Sequence, residues 1–236
     1  DQLGFGRFVD RPNRFTIVLK TVSGHRRCHL RDPGRLSELL KPQAGVLFVE
    51  KSSPRRRTDC EVVAIWDGRC WTIVNSGFHN ELVLELISAG LLPELGSPKS
   101  VKTEVRFGNS RVDILIEGHP PTLVEVKGCT LVRDGLALFP DAPTQRGTRH
   151  VLNLIQAVER GFRAAVLFLV MRPDARAIAP NAGTDPAFAE ALARAHERGV
   201  LMLAHTFRLR GRAIEPVKRI PVLLNPHNPP SSPAST

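Results

Sequence analysis

Two alternating runs of residues carry an aspartate, a glutamate and, two positions after the glutamate, a lysine. The first run is Ser110-Arg111-Val112-Asp113-Ile114-Leu115-Ile116 and the second is Thr122-Leu123-Val124-Glu125-Val126-Lys127. Period-two alternation is the signature of strands with one buried face. The five residues between them, Glu117-Gly118-His119-Pro120-Pro121, are turn formers. A hairpin folded about His119 sets Asp113 opposite Glu125 and Arg111 opposite Lys127. Directly opposed side chains have Cβ atoms roughly 5 Å apart, and like charges there destabilise. Two carboxylates so placed are suited to holding a divalent cation, with a lysine on the same face able to act beside it.

The chemistry follows from the ligand types. Carboxylate oxygens from Asp113 and Glu125, with the backbone carbonyl of Val126, suit Mg²⁺ or Mn²⁺ that keeps several waters. Such a metal lowers the pKa of a bound water and neutralises charge on a phosphate. Lys127 would orient that water and stabilise charge in the transition state. Arg146 and His150 are four apart at a predicted helix start, where phosphate oxygens are well received.

The elements that must position these groups have two grammars. From His79 onward the pattern predicts a helix over 79–89 stopped by Gly90, strands over 102–107, 111–116 and 123–127, and a helix over 147–159. The wholly apolar run 164–170 predicts a strand at the sheet centre, covered on both faces. A helix over 186–198 with Asp185 as N-cap follows, then strands over 200–209 and 214–217. His205 on the first of these reads as a structural histidine. The long connection 128–146 exceeds what a simple strand-to-helix link needs, which points to function.

Residues before about 77 read instead as short strands (15–21, 27–30, 45–50, 61–66, 70–74) broken by one short helix over 34–40. That pattern predicts an OB-like β-barrel, with Phe5, Phe8, Phe15, Trp66 and Trp71 assigned to its core. The expected organisation is a barrel over 1–77, an α/β domain over 78–224 and a disordered Pro/Ser/Asn-rich tail over 225–236.

With 33 Lys and Arg against 23 Asp and Glu, the chain of 236 residues carries a net charge of +10. Such a balance favours polyanions, chiefly nucleic acid. Arg35 at the expected short helix, Arg55-Arg56-Arg57, and Arg111 are candidate phosphate contacts, alongside Arg146 and His150. Hydrophobic content of 42 % excludes a mainly disordered chain. No apolar run reaches the roughly 18 residues of a membrane span, so no membrane partner is expected. Cys28, Cys60, Cys70 and Cys129 form no C-x-x-C pair. Read as free thiols in apolar runs, they suggest a reducing, cytoplasmic setting.

Asp113 on a second strand with Glu125-x-Lys127 on a third resembles the PD-(D/E)XK nuclease superfamily. That resemblance implies a further glutamate from the first helix, with Glu85 preferred over Glu81, and Glu104 as an alternative. The segments Asp32-Pro33-Gly34-Arg35-Leu36, Ser110 to Asp113, Glu125 to Leu131 and Phe139 to His150 resemble the sugar fermentation stimulation protein A family over nearly the whole chain. The departures are Asp32, where the family pattern leads one to expect Asn, and Gly128-Cys129 after the lysine. The resemblance implies an OB-like domain followed by a nuclease-like domain, DNA as partner with RNA the alternative, a link to regulation of sugar (maltose) metabolism, and a homodimer as one assembly state. Three readings follow: a metal-dependent nuclease acting on DNA, a non-cleaving DNA-binding regulator, and an RNA-binding or RNA-processing protein.

Overall fold

A computed structural model describes residues 2–51, 58–96, 98–108 and 110–224. Its first layer is a six-stranded sheet built from β1 (Leu3–Asn13), β2 (Thr16–Thr21), β3 (Gly24–His29), β4 (Gly45–Glu50), β5 (Cys60–Trp66) and β6 (Trp71–Ile73). Strand order is β3-β2-β1-β4-β5-β6, and an added β3–β5 pairing closes the first five strands into a barrel. Closure removes the exposed edges that an open sheet would leave. Ile17, Leu19, Val46, Phe48 and Val62 fill the interior.

The second layer runs α1 (His79–Ser88), β7 (Ser100–Phe107), β8 (Ser110–Glu117), β9 (Thr122–Cys129), β10 (Val132–Arg133), β11 (Leu136–Phe139), α2 (Gln145–Glu159), β12 (Arg163–Val170), β13 (Ala177–Pro180), α3 (Pro186–Glu197), β14 (Leu201–Arg210) and β15 (Ala213–Arg219). The main sheet has the order β15-β14-β12-β9-β8-β7. β12 lies parallel to both β9 and β14, and Ala164 to Val170 are all buried, as a central strand covered on both faces requires. α1 covers one face through Leu82, Val83 and Leu86; α2 and α3 cover the other. Asp185 caps α3 by accepting from the Phe188 N–H (2.9 Å), and Gly90 closes α1 with φ 67°.

Several expectations change. β1 is a full strand that alternation does not reveal, because two register shifts interrupt its pairing with β2. The 34–40 helix does not form. Leu36 adopts φ 51°, off the right-handed helical region, and the Arg35 and Leu36 N–H groups donate to Asp141 Oδ2 at 2.7 and 3.4 Å. The 128–146 connection contains the β10–β11 hairpin, which with β13 makes a separate three-stranded sheet. Of the five aromatics assigned to the barrel core, Phe8 is there. Phe5, Phe15 and Trp66 are exposed and Trp71 is only part-buried. In β1 the inward parity belongs to Gly6 and Phe8, which puts Phe5 outside.

The cysteine reading also changes. Cys28 and Cys60 are joined by a disulfide, with Cα atoms 4.5 Å apart. Barrel closure sets them directly across from each other in the β3–β5 pairing. The inference of a reducing compartment from four free thiols therefore does not hold. Among the described residues, no helix is long and apolar enough to cross a membrane. The 225–236 tail and Arg55, Arg56 and Arg57 lie outside the described residues.

Candidate active site

The β8–β9 hairpin pairs Ile116 with Thr122, Leu115 with Leu123 and Ile114 with Val124. Continued one step, this register sets Asp113 opposite Glu125, as the alternation predicts. The main-chain ladder stops at that step. In place of a ladder bond, Asp113 Oδ2 accepts the Val126 N–H at 2.7 Å. On the other side of β8 the ladder with β7 also skips this position: pairs flank it at Thr103–Ile114 and Val105–Val112, and Glu104 has φ 54°. Asp113 thus sits where β8 loses regular pairing to both neighbours. In a strand the N–H and C=O of one residue point to the same side, so the Val126 carbonyl also faces this opening.

Glu125 is 2 % exposed, and its Oε1 is held by Lys127 Nζ at 2.5 Å and by His150 Nδ1 at 2.6 Å. Lys127 shares its face of β9, two residues on. His150 comes from the second turn of α2, whose start is capped by Thr144 Oγ1 accepting from the Gly147 N–H at 3.0 Å. Arg146 Nε donates to His150 Nε2 at 3.4 Å, so the Nδ1–H tautomer satisfies both of the histidine's contacts.

These surroundings push the two carboxyls in opposite directions. Burial, then the charge of Glu125, raises Asp113 above its ordinary 3.8, against the pull of the Val126 N–H, Lys127 and His150. Burial also works to raise Glu125, but the His150 hydrogen bond and Lys127 outweigh it and hold that carboxyl low. Paired acids driven apart in this way take different protonation roles. Glu125 is the fixed anion, and Asp113 is the carboxyl whose charge Lys127 and His150 offset only in part. Among the described residues Asp113 has no ion-pair partner.

Val126 and Lys127, with Gly128, border a cleft of about 330 Å³ between the two layers, lined on the other side by Arg14, Asp32, Pro33 and Gly34 of the barrel. His79 at the start of α1 borders it, and burial pushes its imidazole down to about 4. Its ring lies across Gly128, where a Cβ would come within 2.2 Å of Cε1. A glycine after the lysine is therefore what lets His79 approach. Cys129 is buried beside it, and burial pushes its thiol up to about 12. Asp32 accepts from the Gly34 N–H at 2.8 Å. Burial raises its carboxyl to about 6.

The remaining candidates are dispersed. Glu81 and Glu85 line a different cavity from Lys127, one of about 430 Å³ shared with Leu3, Val49 and Arg212. Glu104 is exposed and pairs with Arg111 at 3.4 Å. The partner that the sequence does not reveal is His150 acting on Glu125. Its spacing from Arg146 suggests a phosphate contact, and only the β9–α2 crossover brings it to the carboxylate. Arg35 is exposed on a loop rather than at a helix start, because that helix is absent.

Residues 9–74 match the SfsA N-terminal OB domain, and residues 77–213 match the sugar fermentation stimulation protein RE domain. The chain belongs to the sugar fermentation stimulation protein family. A homologue from Methanothermobacter thermautotrophicus is 46 % identical over 85 % of this chain and 84 % of its own length. One from Moorella thermoacetica is 43 % identical over 84 % and 87 % respectively. Among solved structures, SfsA from Pyrococcus furiosus in complex with Ca²⁺ superposes with a TM-score of 0.87 at 28 % identity, covering 94 % of this chain and 96 % of that one. The family thus has the expected order of an OB barrel followed by a mixed α/β domain.

Proposed function

We propose that this family member binds DNA and hydrolyses its phosphodiester bonds at the Asp113–Glu125–Lys127 site. The observation that carries the reading is the pair of opposed carboxylates at an opened strand ladder, one of them with no direct ion pair among the described residues. A part-buried carboxylate whose charge is only partly offset destabilises a fold unless a cation completes it. The donor set fits a hard divalent ion: Asp113 and Glu125, with the Val126 carbonyl, would hold Mg²⁺ or Mn²⁺. The Ca²⁺ in the Pyrococcus furiosus structure supports a divalent ion in this fold. When bound, such an ion supplies a water of lowered pKa and charge neutralisation at the phosphate.

The chain's own residues do the rest. His150 and Lys127 fix one oxygen of Glu125 and keep it ionised. Lys127, which lines the cleft, is the group able to orient a water and to stabilise negative charge on a phosphate oxygen. Arg146 backs His150 and adds positive charge at the start of α2. The net charge of +10 assists capture of a polyanion. The sugar link of the family name would then act through nucleic acid.

The test is cleavage of labelled single-stranded, duplex and branched DNA, and of RNA, with Mg²⁺ or Mn²⁺, beside Lys127→Ala. Metal-dependent cutting of DNA that is lost in Lys127→Ala is expected. Binding of DNA without cutting in either protein would replace this reading with that of a non-cleaving regulator; cutting confined to RNA would move the substrate class.

A further inference from the structure

The barrel carries an aromatic ring whose exposure its own packing does not explain. Phe15 and Arg14 form the two-residue turn between β1 and β2, closed by the Asn13–Thr16 pair. The Phe15 backbone is fixed at three points. Its N–H donates to Asn13 Oδ1 at 2.9 Å, and its carbonyl accepts from the Leu30 N–H at 2.9 Å and contacts His29 Nδ1 at 3.1 Å. The ring itself is 47 % exposed. The Arg14 guanidinium lies 5.7 Å from its centroid and the His29 ring 6.4 Å away.

A cavity of about 370 Å³ opens beside this ring, bordered by His29, Arg31, Ser76 and Gly77. The Arg31 guanidinium is packed so closely on Gly77 that a Cβ there would be 2.1 Å from its Nη1, and its side chain remains 45 % exposed. This cavity and the cleft holding Lys127 share Ser76 as a common wall, and Arg14 lines the cleft. The cleft beside Lys127 and the cavity beside Phe15 therefore adjoin at Ser76, with Arg14 lining the first and Arg31 the second. The acids of the cleft, Asp32 and Asp141, accept from the N–H groups of Gly34, Arg35 and Leu36. The other exposed aromatics of the barrel, Phe5 and Trp66, line neither cavity.

A rigidly mounted, exposed aromatic flanked by cations is how proteins hold unpaired bases, whereas bases within a duplex offer no free face. We propose that Phe15 stacks on an unpaired base of the DNA strand whose phosphate occupies the Asp113–Glu125 site, with Arg14 and Arg31 on neighbouring phosphates, so that the substrate is single-stranded beside the cut. This rests on the nuclease reading above.

The experiment is fluorescence anisotropy with a short labelled oligothymidylate and a blunt duplex of equal length, in chelator, so that binding is read apart from cutting. The wild type should bind the single strand more tightly than the duplex. Phe15→Ala should weaken single-strand binding by roughly 5- to 150-fold, the range for loss of one stacked base, and leave duplex binding unchanged. Phe15→Trp should retain single-strand affinity, and Phe5→Ala should match the wild type. Equal affinity of Phe15→Ala and wild type for the single strand, or a wild-type preference for the duplex, would overturn the proposal. Loss of the nuclease reading would look different: no metal-dependent cutting, with Phe15-dependent binding intact.

Discussion

Replacing Asp113 with Asn should make the metal-free protein more stable. Asn keeps the shape of the side chain and an oxygen to accept the Val126 N–H, now at 2.7 Å. What it removes is a negative charge facing Glu125. Opposed carboxylates ~5–6 Å apart at an effective dielectric of ~20 repel by about 3 kcal/mol. The attraction of Asp113 to Lys127 and His150, both tied to Glu125, cancels much of that. The net gain should be about 1 kcal/mol, a rise of ~2–4 °C in melting temperature for a chain of this size. The assay is thermal melting in chelator at neutral pH, repeated with excess Mg²⁺ or Mn²⁺. At 100 times its Kd, a metal adds about 2.7 kcal/mol to the wild type and should add little to the variant, so the order of stability inverts. The pH dependence has a definite sign. The folded carboxyl of Asp113 lies above its ordinary 3.8, so its contribution is favourable below that value and is lost as pH rises through the raised one. The advantage of Asp113→Asn in chelator should therefore shrink on acidification toward pH 3.8. A variant that melts below the wild type in chelator, or that keeps the full metal-induced shift, would refute this reasoning.

Two further predictions concern how the barrel is closed and held. Arg172, 4 % exposed, pairs with Asp67 of the β5–β6 turn and with Asp174, at 2.6 Å for the latter. Arg172→Met strands two carboxylates, so about 3 kcal/mol should be lost, seen as a melting point lower by ~6–12 °C; an unchanged melt would mean the pair contributes nothing. The Cys28–Cys60 bond closes a loop of sequence separation 32. Cys28→Ser should lower unfolding free energy by ~3–4 kcal/mol in denaturant titration, and reductant should bring the wild type to the same midpoint, whereas a wild-type midpoint insensitive to reductant would contradict it.

The carboxylate pair was legible because only local rules were needed. A period-two pattern on each side of a short turn fixes which residues oppose, and a slip of one position would bury charges and expose Ile114 and Val124. The central strand β12 was legible for a similar reason, its seven consecutive apolar residues admitting no solvent face. What stayed hidden depends on contacts distant in sequence. Asn13 to Thr16 is a turn, and a turn has no inward parity, so nothing local tells whether Phe15 packs inside or stands out. The disulfide follows from the β3–β5 seam, a pairing between strands that three others separate in the sheet order. The 34–40 segment has helix-like spacing, yet the N–H groups that a helix start would leave unpaired go to Asp141, about a hundred residues away.

Asp141 also explains why the connector after β9 is long. Within ten residues, Asp141 holds the barrel loop at Arg35 and Leu36, Thr144 caps α2, and His150 binds Glu125. Asp185 ties the same strap to α3 by accepting from the Thr144 N–H at 2.7 Å. Barrel loop, helix start and carboxylate are thereby mounted on one stretch of chain. The barrel loop is thus tied to the Glu125 carboxylate through a short series of bonds. This mounting dictates the order of residues along the strap. The barrel contact must precede the cap, and the cap must precede the histidine by between one and two helical turns, or the imidazole would not face β9.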